Sequence, residues 1–308
     1  MTQRISLILR VVIDCSYLFR SRLDNRKKVR VLFEYIWLTL KVLLRLRLAE
    51  AGTARVLGYS VRHCGIGSLQ FLFREVFVRG DYFLEAANDR PLVFDCGANI
   101  GMSTLFFKWL YPLSEIHAFE PDPETFAILN ENVNRNRLAH VYLHNVALTA
   151  AAGQLAFFVP TGSSGSPLAS TVSSRCGPGS RRIVVDGVPL SSYIGGREID
   201  LLKMDVEGAE EGILRAAAAA GALRNVREIA VEYHHNLEQG ITRFGPFLQL
   251  LQDAGYHYQI DATWKGGGSA GAFQDIMVRA RRSTRSPLVA AVVEHHEALD
   301  ESLVAVRR

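Results

Sequence analysis

The ten residues from Leu92 to Gly101, Leu-Val-Phe-Asp-Cys-Gly-Ala-Asn-Ile-Gly, constrain the fold more than any other stretch of the chain. A short apolar run ends in Asp95. Gly97, Asn99 and Gly101 follow at alternate positions, and Met102 to Leu110 reads as a helix. The pattern is a strand, a tight turn and a helix N-terminus. Glycine at such a turn lets the backbone take φ > 0 and lets a ligand come close. The helix start behind it offers unpaired N–H groups. The stretch therefore reads as a nucleotide-type cofactor site.

Downstream, strand-like and helical patterns alternate. Ile116 to Phe119 runs into Glu120, and Pro121-Asp122-Pro123 opens a helix with proline at its favoured early position. Phe126, Leu129 and Val133 form that helix's buried face. His140 to Leu143, Asp200 to Met204 and Ile229 to Val231 read as further strands, the last two running into Asp205 and Glu232. Ala209 to Ala220 and Pro246 to Ala254 read as helices. Leu155 to Val159 and Ile183 to Val185 look like added strands around a Gly/Ser/Pro-rich loop, Thr161 to Ser180. Such alternation predicts a parallel, doubly wound sheet. Tyr256 to Ile260 and Phe273 to Val278 are joined by a glycine-rich connection, Gly266 to Gly271, without a helix, and are most simply antiparallel. The expected fold is α/β, a Rossmann-like doubly wound sheet. It is mostly parallel, with one antiparallel strand near the C-terminal end as in class I methyltransferases, and carries an N-terminal helical extension. The expected organisation is a basic, mainly helical extension at 1–84, a catalytic domain at 85–282 and a tail at 283–308.

The net charge of +4 is unevenly spread over the 308 residues. Residues 1–50 hold eleven Lys and Arg against four acids, a net +7, which leaves −3 for the remainder. A basic arm on a mildly acidic body points to an anionic surface or partner for the arm, and not to nucleic acid for the whole protein. Val31 to Leu48 is too charged to span a membrane, which takes roughly 20 nearly uncharged residues. Polar positions 27, 30, 34, 41 and 45 form one helical stripe, leaving Phe33, Ile36, Trp37, Leu40, Leu43 and Leu44 on the opposite side. Two readings stay open: packing on the protein's own body or a second subunit, and a basic amphipathic helix in a membrane interface. Beyond it, Val61 and His63 suit a strand, Ser68 a cap for a helix from Leu69 to Phe77, and Gly80 its stop. Residues 5–19 lack the form of a secretory signal. Cys15, Cys64, Cys96 and Cys176 show no paired spacing, so reduced thiols and a cytoplasmic or membrane-peripheral setting are expected.

Ligands of open α/β sheets sit at the carboxyl ends of strands. Four such ends here carry acids or a glycine turn: Asp95 to Gly101, Glu120, Asp205 to Gly208, and Glu232. Glu120 follows the turn by about twenty residues, where a carboxylate accepts both hydroxyls of an adenosine ribose; the bland alternative is a surface acid before a helix start. A dinucleotide site needs G-x-G-x-x-G. The alternate spacing of Gly97, Asn99 and Gly101 suits instead a cofactor without phosphate, whose amino-acid end lies over the turn. S-adenosylmethionine (SAM) is such a cofactor. Its sulfonium makes the methyl electrophilic, so the enzyme mainly has to align a nucleophile. Cys96, inside the turn, reads as a packing residue.

Asp-Cys-Gly-Ala-Asn-Ile-Gly at 95–101, His-Ala-Phe-Glu-Pro-Asp-Pro at 117–123, Asn-Val-Ala-Leu at 145–148 and Leu-Lys-Met-Asp-Val-Glu-Gly-Ala-Glu at 202–210 together resemble the FkbM-type methyltransferases, over about 85–280 and in the correct order. The resemblance implies SAM binding and, usually, O-methylation of polyketide, sugar or glycan hydroxyls. It implies that Asp95, Gly97, Asn99 and Gly101 line the methionine end and that Glu120 holds the ribose. Pro121, Asp122, Asn145 and Ala147 would lie near the adenine, and Asp205 would face the methyl and the acceptor. Asp205 would bind the cofactor amine, orient the acceptor or act as general base. Glu207 and Glu210 would support the turn and the following helix. The arm lies outside the resemblance.

Glu232, with His234 and His235, ends the fifth strand and faces the same pole as Asp205. Glu232 and His234 read as acceptor-handling residues, with His234 suited to general base work. A divalent cation between Asp205 and these residues would lower the pKa of an acceptor hydroxyl, but the spacing is no metal signature and no ligand is assigned. Residues 161–180 and 264–271 are candidate lids or plain surface loops. The expected function is SAM-dependent methyl transfer to a hydroxyl of a saccharide, glycan or secondary metabolite. The rivals are a methyltransferase with a nitrogen or protein acceptor, and a non-catalytic SAM-fold module anchored through its basic arm. A nicotinamide dehydrogenase is disfavoured by the turn spacing.

Overall fold

The computed structural model describes residues 2–44, 50–160, 179–237, 243–262 and 274–282. Residues 161–178 of the loop expected at 161–180, the loop expected at 264–271, and the tail from 283 lie outside the described residues. Two helices, α1 (Thr2–Arg20) and α2 (Asn25–Leu43), open the chain. Asp24 caps α2 by accepting the Lys27 N–H at 2.9 Å. The face of α2 that packs inward carries Val31, Tyr35, Leu38 and Thr39, while Phe33, Ile36, Trp37 and Leu40 point outward. The apolar side picked out by the sequence pattern is thus largely the uncovered one. No described helix is long and apolar enough to cross a membrane.

A hairpin follows, β1 (Gly52–Val56) and β2 (Tyr59–His63), then α3 (Ile66–Phe73). The helix expected from Leu69 begins three residues earlier, and its end widens into a π-helical stretch, Arg74–Arg79, closed by Gly80 at φ 68°. Arg74 points back to α1, where Nε and Nη2 each donate at 2.7 Å to the two oxygens of Asp14. Asp14 is fully buried and also accepts the Tyr35 hydroxyl of α2. One carboxylate therefore ties three helical segments together.

The central sheet has seven strands: β3 (Leu92–Cys96), β4 (Glu115–Phe119), β5 (Val141–His144), β9 (Ile199–Met204), β10 (Val226–His235), β11 (Tyr256–Asp261) and β12 (Gln274–Arg282). Their spatial order is β11-β12-β10-β9-β3-β4-β5. β12 alone is antiparallel, inserted between β10 and β11. The order reverses at β3, which places the switch point between β3 and β9. A second sheet, β6 (Ala147–Thr149), β7 (Gly153–Val159) and β8 (Arg181–Pro189), branches off after β5.

Side-chain alternation along the strands splits the core into two layers. Val93, Ile116, Leu201 and Ala230 face α4 (Met102–Leu110), α5 (Pro123–Arg135) and the N-terminal helices. Phe94, Phe119, Leu202, Ile229 and Val231 face α7 (Glu210–Ala219) and α8 (Phe244–Asp253), with the short α6 (Leu190–Ile194) alongside. Both faces are covered, as a parallel sheet requires.

Replacing Asp14 with Ala leaves the Arg74 guanidinium without its buried partner. The expected loss is about 3–5 kcal/mol, read as a lower midpoint in urea unfolding of the full chain.

Candidate active site

The β3 turn is built for close approach between strands. At Gly97, φ is 77°, and an added Cβ would stand 1.8 Å from the Asp205 carbonyl oxygen. Gly101, at φ 93°, leads into α4. Every backbone N–H from Gly97 to Gly101 is used inside the turn. Gly97 and Ala98 donate to the Phe119 carbonyl at 3.0 and 2.9 Å, and Gly101 donates to Ala98 at 2.8 Å. Asn99, itself at φ 49°, donates to Glu120 Oε2 at 3.0 Å, and Ile100 donates to Asn99 Oδ1 at 2.8 Å. No N–H in the turn itself is left to cradle a phosphate. Beneath it, fully buried Asp95 accepts the hydroxyls of Ser103 and Thr104, both at 2.7 Å, which fixes α4 on β3. Cys96 is buried, and burial pushes its thiol up, as suits a packing residue.

Glu120 ends β4 beside this turn. Its second oxygen accepts the Asp122 N–H at 3.0 Å, and each oxygen keeps a further acceptor position. Burial raises its pKa to about 8, against the pull of the two N–H donors. Asp122 caps α5, accepting from Thr125 N–H at 3.2 Å and from its hydroxyl at 2.6 Å. Asn145 Nδ2 donates to the Glu120 and Pro121 carbonyls at 2.8 and 3.1 Å, so the segment after β5 is held against the end of β4. Ala147 is buried at the start of β6. The cofactor residues read from the sequence thus converge on one strand-end surface, some facing it and others supporting it.

Across the switch point, Lys203 is buried between the two turns. Its ammonium donates to the Gly97 carbonyl at 2.6 Å, lies 3.4 Å from Asp95 Oδ1 and 3.9 Å from Asp205 Oδ2, and sits 5.1 Å from the centre of the Tyr82 ring. Burial works against the charge, but Asp95 and Asp205 outweigh it and the pKa is raised. Asp205 follows β9, its side chain 28% exposed. Burial lifts its pKa to about 6, with Lys203 opposing.

β10 runs further than the sequence suggests. The strand was expected to end at Glu232; it continues to His235. Pairing with β9 stops at Val231, and residues 232–235 pair only with β12, so one edge overlooks the Asp205 turn. Glu232 and His234 share the face towards that turn. Tyr233 and His235 lie on the other, against Phe244. His234 is buried, with Nδ1 2.7 Å from Glu210 Oε1 and Nε2 3.0 Å from Glu207 Oε2. Burial would lower its pKa, yet Glu210 and Glu207 push it well above the ordinary value. Glu232 is raised too, by burial and then by Asp205 and Glu75.

Tyr82, from the segment after the π-helical stretch, donates its hydroxyl to Glu232 Oε2 at 3.1 Å and lies 3.5 Å from Asp205 Oδ2. Burial and the nearby carboxylates keep the phenol protonated, so it acts as a donor. Neither Tyr82 nor Lys203 was singled out by sequence reasoning. Lys203 left a signal, a cation within the apolar run Leu201–Met204, of a type rarely buried unless paired. Tyr82 left none, being 123 residues from Asp205.

Two groups of side chains have metal-ligand geometry among the described residues: Asp205, Glu207 and His234, and Glu232, His234 and Asp275, each set with donor atoms within 4.8 Å of one another. Both depend on His234. In this structure the two ring nitrogens lie against the carboxylates of Glu210 and Glu207, and no metal ligand is assigned. Beside the same turn opens a groove of about 410 Å³, lined among others by Gly208, Tyr233, His234, Asn236 and Arg243.

Strand order, a phosphate-free glycine turn and acidic strand ends at the switch point define a class I SAM-dependent methyltransferase. The profile of the Methyltransferase FkbM domain matches residues 95–258, more than half of the chain, and the chain belongs to that family. The 31-O-demethyl-FK506 methyltransferase FkbM of Streptomyces tacrolimicus is 32% identical over 206 residues, 58% of this chain and 79% of that protein. Methyltransferase 1 of Beauveria bassiana is 31% identical over 165 residues, 48% of this chain and 66% of its own length. The hexuronic acid methyltransferase AglP of Haloferax volcanii is 27% identical over 199 residues, 60% of this chain and 75% of that protein. Among solved structures, the methyltransferase FkbM of Methylobacillus flagellatus aligns over 80% of this chain and 60% of its own, with 16% identity and a TM-score of 0.43.

Gly97→Ala forces the β3 and β9 turns apart and places a Cβ at positive φ. The expected result is a loss of at least about 2 kcal/mol in stability and weakened binding of the demethylated cofactor. Thermal unfolding with and without S-adenosylhomocysteine reads both.

Proposed function

We propose that the protein transfers a methyl group from SAM to a hydroxyl oxygen of a saccharide or secondary metabolite. The observation that carries this reading is the β3 turn: its N–H groups are all engaged and a carboxylate, Glu120, stands against it. Such a surface offers no N–H to a pyrophosphate and suits an adenosine cofactor without phosphate. When bound, SAM supplies an electrophilic methyl on a sulfonium. Gly97, Asn99 and Gly101 line its amino-acid end, while Asp95 and Lys203 hold that wall from beneath. Glu120 accepts the ribose hydroxyls, and Asn145 and Asp122 fix the segments beside the adenine.

At the acceptor pole, Asp205 is the proton acceptor. It is part exposed, and its pKa of about 6 leaves it ionised at neutral pH yet basic enough to take a hydroxyl proton as the oxygen attacks. Oxygen gains the methyl, the carbon–sulfur electron pair stays on sulfur, and the proton passes to Asp205. Glu232 and Tyr82 orient the acceptor. His234 acts through Glu207 and Glu210, which it keeps folded over the site. The names of three relatives support this class: one is a 31-O-demethyl-FK506 methyltransferase, one a hexuronic acid methyltransferase, one a 2-O-methyltransferase. A cytoplasmic setting fits the unpaired Cys15, Cys64 and Cys96.

The test is release of S-adenosylhomocysteine from SAM in the presence of a panel of hexuronic acids, oligosaccharides and macrolides. With an acceptor that turns over, kcat/KM falls about tenfold per pH unit below about pH 6 and is level above it, because Asp205 must be ionised. Asp205→Asn removes that limb and lowers turnover by about 10²–10⁴-fold. Wild-type turnover in the variant, or no release with any hydroxylated acceptor, would overturn the assignment.

A further inference from the structure

The first two helices present an apolar face that the body does not cover. On α2, Val29, Phe33, Ile36, Trp37, Leu40 and Leu44 recur at helical spacing and form one outward stripe. Phe33 is 72% exposed, and even Leu40, the most sheltered of the six, is 41% exposed. α1 adds exposed Val12, Ile13 and Phe19. Singly exposed apolar residues need no explanation, but a contiguous stripe marks a contact surface.

Positive charge borders the stripe. Arg26 and Arg30 are exposed on α2, and the Lys41 ammonium sits 5.3 Å from the Trp37 ring centre. At the corner between α1 and α2 a groove of about 530 Å³ is lined by five arginines, of which Arg22, Arg79 and Arg279 are paired with Glu85, Asp81 and Glu228, while Arg20 and Arg281 add further positive charge. The arm carries +7 while the rest of the chain carries −3. Docking a second copy through this face would bring two strongly cationic arms together, which like-charge repulsion opposes. An anionic lipid surface meets the same face with opposite charge and with an apolar layer for the stripe.

We propose that this face docks on an anionic phospholipid surface, with α2 lying in the interface plane and Phe33, Trp37 and Leu40 inserted below the headgroups. The basic residues along its flank and at the α1–α2 corner engage lipid phosphates. An in-plane helix suits a 19-residue segment whose outward side is apolar while its opposite side packs on the body. Docking of this kind is independent of the methyl-transfer reading.

Co-sedimentation of the full chain with phosphatidylcholine vesicles, with and without phosphatidylglycerol, tests the proposal. The expected result is pelleting with the anionic vesicles, little with phosphatidylcholine alone, and release in high salt. The double variant Phe33→Ser/Trp37→Ser keeps the charge and changes only exposed side chains. It is expected to bind anionic vesicles about tenfold or more weakly, with an unchanged thermal unfolding midpoint. Wild-type protein that stays in the supernatant with anionic vesicles overturns the proposal. So does a variant that pellets as well as wild type, or light scattering that shows a dimer abolished by the variant while vesicles are ignored.

Discussion

A buried ammonium between two strand-end turns holds the site together. Lys203 reaches the carbonyls of Cys96 and Gly97 in one turn, Asp95 beneath it, Asp205 in the other turn, and the ring of Tyr82 from the N-terminal segment. A charge so placed is tolerated only because opposite charges and carbonyl oxygens surround it. The same contacts explain why Gly97 has no room for a side chain: the two turns it helps join are in direct backbone contact, with the Asp205 N–H donating to the Cys96 carbonyl at 3.0 Å. The cofactor wall and the acceptor pole are therefore one mechanical unit.

The acceptor pole concentrates carboxylates, and the fold manages their repulsion in two ways. His234 and Lys203 supply buried positive charge on either side of Asp205. Where burial and mutual repulsion outweigh the nearby cations, the pKa rises, as for Glu232 beside His234 and for Glu75 beside Arg79 and Arg74, which is lifted to about 8. Asp205 sits between these limits, part exposed and with its pKa lifted by burial to about 6. The N-terminal segment takes part directly, since Glu75 and Tyr82 both come from it and Tyr82 bridges Asp205 and Glu232. The carboxylate cluster around Asp205 is thus assembled from parts of the chain outside the family match at 95–258 as well as inside it.

Much of this was legible in the sequence because local rules coincide with the fold. The Leu92–Gly101 turn, the proline-started α5 and the antiparallel pairing of the last two strands each leave a pattern of spacing or composition, and each appears where it was expected. Legibility fails where the deciding partner is distant in the chain. The length of β10 depends on β12, which pairs with residues 232–235 after β9 has turned away. The inward face of α2 depends on α1 and the π-helical stretch, through Asp14, Tyr35 and Arg74; periodicity finds an apolar stripe but not which side the body covers. Asp95 and Asp122 look like ligand-binding acids in sequence, yet in the fold they hold Ser103, Thr104 and the start of α5.

The central claim is that the β3 turn and Glu120 form the cofactor pocket. Calorimetric titration of S-adenosylhomocysteine into the full chain and into Glu120→Ala tests it most directly. The account predicts saturable one-site binding by the wild type and affinity at least about tenfold lower in the variant, the loss expected when two buried hydrogen bonds are removed. Equal affinity in the two proteins, or no binding by the wild type, would contradict it.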